Sequence, residues 1–156
     1  MLKTFLRKSH IQLAVITFFF FMLCANITLA ARYVSVNGDN VNVRTGPGTN
    51  YQVRMELFDG YPLQVVANQG DWLKIRDFEN DEGWIHTSLV KPGNTVIINA
   101  SSIANMRSEP TTNSTVVAEI SRGVVLTKLD SRGQWYKLKH AGGTIGWIYG
   151  PLLWPR

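Results

Sequence analysis

The sequence predicts an all-β protein in which one small barrel or sandwich unit is written twice. Three observations carry this. Short runs of β-branched and aromatic residues alternate with Gly, Asn, Asp and Pro, as strands and turns do. No window shows helical periodicity. Finally, Asn42-Val43-Arg44 returns as Asn105-Met106-Arg107, an offset of 105 − 42 = 63, and other motifs return at the same distance. Gly60 recurs as Gly123, Gly70-x-Trp72-x-Lys74 as Gly133-x-Trp135-x-Lys137, Gly83-Trp84-Ile85 as Gly146-Trp147-Ile148, and Leu89 as Leu152. The alignment needs no gap from Val41 to Leu89, so the chain holds two copies of one unit.

The elements follow in order. Met1 to His10 is basic through Lys3, Arg7 and Lys8, Ile11 to Ala25 is almost wholly apolar, and Thr28 and Ala30 are small. This pattern predicts an export signal over residues 1–30, cleaved after Ala30. A retained anchor is the alternative, and it would be the chain's one contact with a membrane. Cys24 follows Phe21-Met22-Leu23 rather than the small residue that lipid-modified cysteines follow. As the only cysteine of the chain, it excludes an internal disulfide framework, a Cys-based zinc site and a redox pair. Cleavage would leave 126 of the 156 residues and no cysteine nucleophile.

Tyr33-Val34-Ser35-Val36 alternates and stops at the turn cluster Asn37-Gly38-Asp39-Asn40; Val96-Ile97-Ile98 is its counterpart. Pro47-Gly48 belongs to an irregular loop. Tyr61 to Ala67 and Trp72 to Phe78 form a hairpin about Asn68-Gln69-Gly70-Asp71. Trp84-Ile85-His86 and Trp147-Ile148-Tyr149 are the final strands. Only Val90-Lys91-Pro92-Gly93-Asn94 separates Leu89 from the next strand, a reach shorter than one small domain. A unit of this size is marginal alone. The two are therefore expected to touch, with a cleft at their junction.

Asn-Val-Arg-x-Gly-Pro-x-x-x-Tyr (Asn42 to Tyr51), then Gly70-x-Trp72, then Gly83-Trp84-Ile85, resembles the bacterial SH3-like (SH3b) domain. The resemblance covers residues 33–90 closely and 96–154 more loosely, where Glu109, Thr111 and Ser114 replace Gly46, Gly48 and Tyr51. It implies two tandem SH3-like half-open β-barrels, packed through a short linker, over residues 31–91 and 95–156. It further implies a non-catalytic binding module of exported cell-envelope proteins, often directed to peptidoglycan.

Little in the residues suggests catalysis. His86 and His140 do not correspond under the repeat, no metal-ligand spacing is visible, and no nucleophile motif occurs. Both histidines are read as exposed or structural. Asp77-Phe78-Glu79-Asn80-Asp81-Glu82 lacks the calcium-loop pattern and reads as a solvated hairpin tip. A cell-wall enzyme is the weakest alternative, since two barrels fill residues 31–156 and leave no room for a catalytic domain among them, and no cofactor is expected.

Trp84 and Trp147 are assigned to the core, and Trp72 and Trp135 to half-exposed strand starts. Asn42 and Arg44 recur, which fits a supporting role more than ligand contact. Tyr51 has two readings. It is either an exposed anchor beside Gly46 and Gly48, whose bare backbone lets a ligand approach, or a ring packed on its own loop. Tyr61 is placed on the same surface. The candidate ligand-binding set is thus Tyr51, Asn42, Arg44, Gly46, Gly48, Tyr61 and Trp72.

Charge separates the units. Residues 1–30 supply three of the 16 basic residues and none of the 11 acids, so the remainder carries 13 against 11, which argues against nucleic acid. Residues 31–92 hold six basic against eight acidic residues, and 93–156 hold seven against three. Lys137 and Lys139 share a strand face, with Lys128 expected on the hairpin partner beside them. The expected function is an exported envelope protein of the periplasm or cell surface. Its partner is expected to be peptidoglycan or another envelope polymer, or else an exported protein for which it is an adaptor.

Overall fold

Seven strands arise in each repeat, because each run of alternating residues finds a partner with the same period. In the computed structural model, which describes residues 31–156, the first repeat forms β1 (Arg32–Val36), β2 (Val41–Arg44), β3 (Val53–Leu57), β4 (Pro62–Gln69), β5 (Trp72–Arg76), β6 (Glu82–His86) and β7 (Val90–Pro92). The second forms β8 (Thr95–Ile98), β9 (Ile103–Arg107), β10 (Val116–Ser121), β11 (Val125–Arg132), β12 (Trp135–Lys139), β13 (Ile145–Tyr149) and β14 (Leu153–Trp154). The sheet order β3-β2-β6-β5-β4-β1-β7 is repeated as β10-β9-β13-β12-β11-β8-β14, every pair antiparallel. The fold is all-β, one topology used twice. The expected export segment, 1–30, lies outside the described residues.

The hairpins turn where the sequence supplies glycine. Gly70 and Gly133 have φ of 54° and 57°, a left-handed conformation at the β4–β5 and β11–β12 turns that accounts for the glycine opening each Gly-x-Trp motif. A bulge between Val65 and Ala67 bends β4, so its first half packs on the core and its second half extends into solvent. The repeat is not perfectly rigid in length. Val36 N–H donates to the Tyr61 carbonyl as Ile98 N–H does to Val124, so β1 and β8 are offset by 98 − 36 = 62.

Each sheet wraps its own core. Val34, Val36, Val43, Leu63, Ile75 and Ile85 centre the first, and Val96, Ile98, Met106, Leu126, Leu138 and Ile148 the second. Two expectations need correction here. Ile85 and Ile148 fill the core positions of the Gly-Trp-Ile motif, so both tryptophans point outward. Trp84 is half-buried rather than core, whereas Trp147 is buried as expected, at 5% exposure, with the Arg132 guanidinium 5.4 Å over its ring. Lys128 does lie on the hairpin partner β11, but it faces Leu138 there whereas Lys139 faces Thr127, so it stands on the opposite sheet face from Lys137 and Lys139.

Residues 31–156 form one compact unit, and the contact expected from the short linker is present. β8 is buried along its whole length, as a strand covered on both faces must be. Val96 and Ile98 enter the second core, while Ile97 joins the first. Thr95 Oγ1 donates to the Gly60 carbonyl at 2.6 Å and bonds Ser35 Oγ at 2.7 Å, both buried. Trp154 meets Tyr33 edge-on at 5.5 Å, and Arg122 sits 5.0 Å over Phe78, 3.4 Å from Glu79 Oε1. The cleft at this junction, about 1130 Å³, is lined in part by Phe58, Asp59, Leu129, Lys139 and His140.

Candidate functional site

The outward side chains of β2, β5 and β6 stand in register, and this builds a groove. Arg44 pairs with Trp84, Trp84 with Lys74, and Trp72 with His86, so the alternate residues project from one face. Asn42, Arg44, Thr49, Trp72, His86 and Leu89 line a groove of about 540 Å³, closed at one end by the turn Asn37 to Asn40. A volume of this size accommodates a small ligand or a short stretch of polymer. The second repeat builds the same groove at about 250 Å³ from Asn105, Arg107, Thr112, Trp135, Tyr149 and Leu152. These six positions correspond one to one under the 63-residue offset.

The chemistry is polar with an aromatic wall. Trp72 and His86 meet edge-on at 5.3 Å, and Trp135 and Tyr149 stand 5.4 Å apart. His86 Nδ1 accepts from Ser88 N–H at 3.3 Å, capping the short 3₁₀ turn Thr87–Leu89, and lies 2.8 Å from Ser88 Oγ. Because Nδ1 is the acceptor, the neutral ring carries its proton on Nε2. In the second repeat Tyr149 Oη donates instead to Gln134 Oε1 at 2.9 Å. Arg44 has a dual position. One Nη donates to the Tyr51 carbonyl at 2.8 Å, holding the loop, and the residue also lines the groove. Arg107 does the same with Ser114 at 2.7 Å.

Of the sequence-predicted residues, Asn42, Arg44 and Trp72 come together here. Tyr51, Gly46 and Gly48 do not. The Tyr51 ring packs over Gly46, where a Cβ would overlap it, and beside Gly48, where a Cβ would stand 3.4 Å from ring carbons. The bare backbone therefore serves the chain's own tyrosine, and it is Thr49 of that loop that reaches the groove. Tyr61 is corrected outright. It is 8% exposed within the first core, its Oη donating to Asp77 Oδ2 at 3.2 Å and its ring edge-on to Phe58 at 5.4 Å. Burial pushes its phenol well above the ordinary value of 10, and the Asp77 carboxylate adds to the shift. Asp77 is itself buried and accepts from Glu79 and Asp81 N–H at 2.9 Å each, so the acidic tip is organised by an internal carboxylate.

His86 and Thr49 are groove residues that the sequence reading passed over. The signal that finds His86 is its match to Tyr149 under the 63-residue offset. Both are flat rings placed directly across from a tryptophan.

Comparison with known proteins accords with this duplicated architecture. The family described as "Bacterial SH3 domain" matches twice, at residues 37–92 and 100–155. A Bacillus subtilis (strain 168) protein named "Putative N-acetylmuramoyl-L-alanine amidase YrvJ" is 24% identical over 156 aligned positions, covering 92% of this chain but 30% of that protein. Among solved structures, NlpC1 from Trichomonas vaginalis aligns at TM-score 0.34 and 20% identity, over 85% of this chain and 48% of that one. NlpC2 from the same organism aligns at 0.35 and 19%, over 81% and 49%. The two family matches take in nearly every strand of both sheets, and the chain belongs to the bacterial SH3 domain family, of which it carries two copies in tandem.

Proposed function

We propose that this chain is an exported, non-catalytic binding protein of the bacterial cell envelope, acting in the periplasm or at the cell surface. Its ligand is peptidoglycan, held in the Trp72–His86 groove and in its smaller copy at Trp135–Tyr149. One observation carries the reading: the same six positions line a groove in both repeats although the loops beside them have diverged. A wall peptide or glycan presents amides and hydroxyls, for which Asn42, Thr49 and Arg44 supply hydrogen-bonding groups and Trp72 a stacking wall. The relative named for the N-acetylmuramoyl-L-alanine amide supports a wall context. This chain spans under a third of it, so its activity is not carried over. Two bacterial SH3 domains occupy residues 37–92 and 100–155, and the reading gives no side chain a role in bond cleavage.

The test is co-sedimentation with purified peptidoglycan. Trp72→Ala and Trp135→Ala together are expected to release the protein into the supernatant while a hydrolysis assay stays flat for every form. Undiminished pelleting of the double variant would remove the grooves from the reading.

A second reading, an adaptor for an exported protein, has a specific support in β10. This edge strand leaves Val116 and Val117 41% and 44% exposed, and an extended partner segment could add beside it.

A further inference from the structure

The outer face of the second sheet differs from that of the first in one exchange that frees its charges. In the first repeat Glu82 stands across from Arg76 and takes both neighbouring cations, Lys74 Nζ at 2.7 Å and Arg76 Nη2 at 2.6 Å. In the second repeat that position is Ile145, across from Lys139 and beside Lys137. The ion pairs among the described residues include none of Arg107, Arg132, Lys137 and Lys139. Arg132 stands where the first repeat has Gln69, and it brings a fourth cation over Trp147.

These groups share one surface. Register places Arg107, Trp147 and Lys137 in one row across β9, β13 and β12, with Ile145 and Lys139 in the next row. Lys137 and Lys139 are two residues apart on one strand, which separates their attachment points by about 7 Å. Two acids border the face. Asp130 faces Lys137 from β11 and accepts from Ser131 N–H at 2.7 Å, and Glu119 faces Asn105 at the far edge.

We infer that the outer face of β12 and β13, through Lys137, Lys139, Arg132 and Arg107, binds a linear polymer bearing phosphate groups. Ammonium groups attract phosphate as point charges, guanidinium adds directed donors, and a row of cations a few ångströms apart suits an anion repeated along a chain. A lipid surface is the poorer occupant. Interfacial binding needs several aromatic or aliphatic side chains free to enter the headgroup layer, yet among these cations Ile145 stands exposed by itself, Trp147 being covered by Arg132 and Trp135 leaning on Tyr149. The inference is separable from the groove reading, since Ile145, Lys137 and Lys139 line neither groove and Arg107 is the one residue it shares with the second.

The test exchanges the deciding position between repeats in the full chain, with inorganic polyphosphate as the probe. Ile145 is 46% exposed, so polar replacements there leave the core intact. Ile145→Glu is expected to weaken polyphosphate binding roughly tenfold at low ionic strength. It should also flatten the log–log salt dependence by about two units, one for each lysine withdrawn from phosphate. Ile145→Gln should bind like the parent protein, and Glu82→Ile should bind several-fold tighter than it. An affinity unchanged by Ile145→Glu, or lost equally in Ile145→Gln, would overturn the inference. So would binding to phosphatidylglycerol vesicles without binding to polyphosphate. Peptidoglycan pelleting of Trp72→Ala reads the groove separately.

Discussion

The Tyr51 ring fills the space that a side chain at Gly46 would need. Their counterparts in the second repeat, Ser114 and Glu109, solve the same loop differently. Ser114 Oγ donates to the Glu109 carbonyl at 2.9 Å and accepts from Glu109 N–H at 3.3 Å. Aromatic-on-glycine in one copy and hydroxyl-on-backbone in the other are alternative braces for one loop, with Arg44 or Arg107 tying its far end in both.

Gly46→Ala should therefore destabilise the protein by about 1–3 kcal/mol, since it overpacks a buried position. Tyr51→Ala should cost less, about 1 kcal/mol, because the ring is 43% exposed. In peptidoglycan pelleting, Tyr51→Ala should matter less than Trp72→Ala. Thermal melts and pelleting of the three variants decide this, and a loss in Tyr51→Ala equal to that in Trp72→Ala would return the tyrosine to the binding surface.

The two outward tryptophans should part company. Trp147→Ala removes a buried ring and the stacking partner of Arg132, and should cost about 3 kcal/mol or more. Trp84 has Gln69 rather than an arginine at the position matching Arg132, and its loss should cost about half as much. Urea midpoints of the two variants test the order, and equal midpoints would mean the arginine cover contributes nothing.

This asymmetry shows what the sequence could and could not convey. The repeat, its turns and the all-β class were legible because Gly70, Gly83 and Trp72 recur at a fixed offset. Which face of Gly-Trp-Ile turns inward was not, since both Trp84 and Ile85 are apolar and a strand's pattern alone is silent when both faces carry apolar side chains. Only the neighbours Val43 and Ile75 settle it, by enclosing Ile85. Asn42, Arg44 and Trp72 could be named from their recurrence. Tyr61 could not be placed, because its partner Asp77 looked like part of a solvated tip. Arg132 over Trp147 has no equivalent in the first repeat, so repetition gave no hint of it.

The junction between the repeats should behave as core. Thr95→Val keeps the shape of the side chain but leaves the Gly60 carbonyl and Ser35 Oγ without their buried partner. A cost of about 2 kcal/mol is expected, in the range for an orphaned buried polar group. The parent protein should melt in one calorimetric transition, because Ile97 and Trp154 of the second repeat are packed on the first core. Two separate transitions in the parent protein would show that these contacts do not couple the repeats.

Acid should reach the first repeat through Glu82. Hydrogen bonds from Lys74 and then Arg76 hold its carboxyl down to about 2, from an ordinary value of 4.5. Asp59 is lowered in the same direction, chiefly by its bond to Lys91. A carboxyl that is more acidic in the folded chain than in the unfolded one favours folding above the unfolded value. As the pH falls from there, the unfolded chain takes up the proton first, and the stabilisation fades until the folded carboxyl protonates too. For Glu82 that window runs from 4.5 down to about 2. Both cations and the acid are solvent-accessible, so the effect should be modest and should shrink at high salt. Urea midpoints of the parent protein and Glu82→Gln, taken between pH 6 and pH 2 at low salt, should converge toward the acid end. Ile145→Gln, at the matching position of the second repeat, should track the parent protein throughout. Parallel curves for Glu82→Gln and the parent protein would mean that the Lys74–Glu82–Arg76 cluster adds nothing to stability.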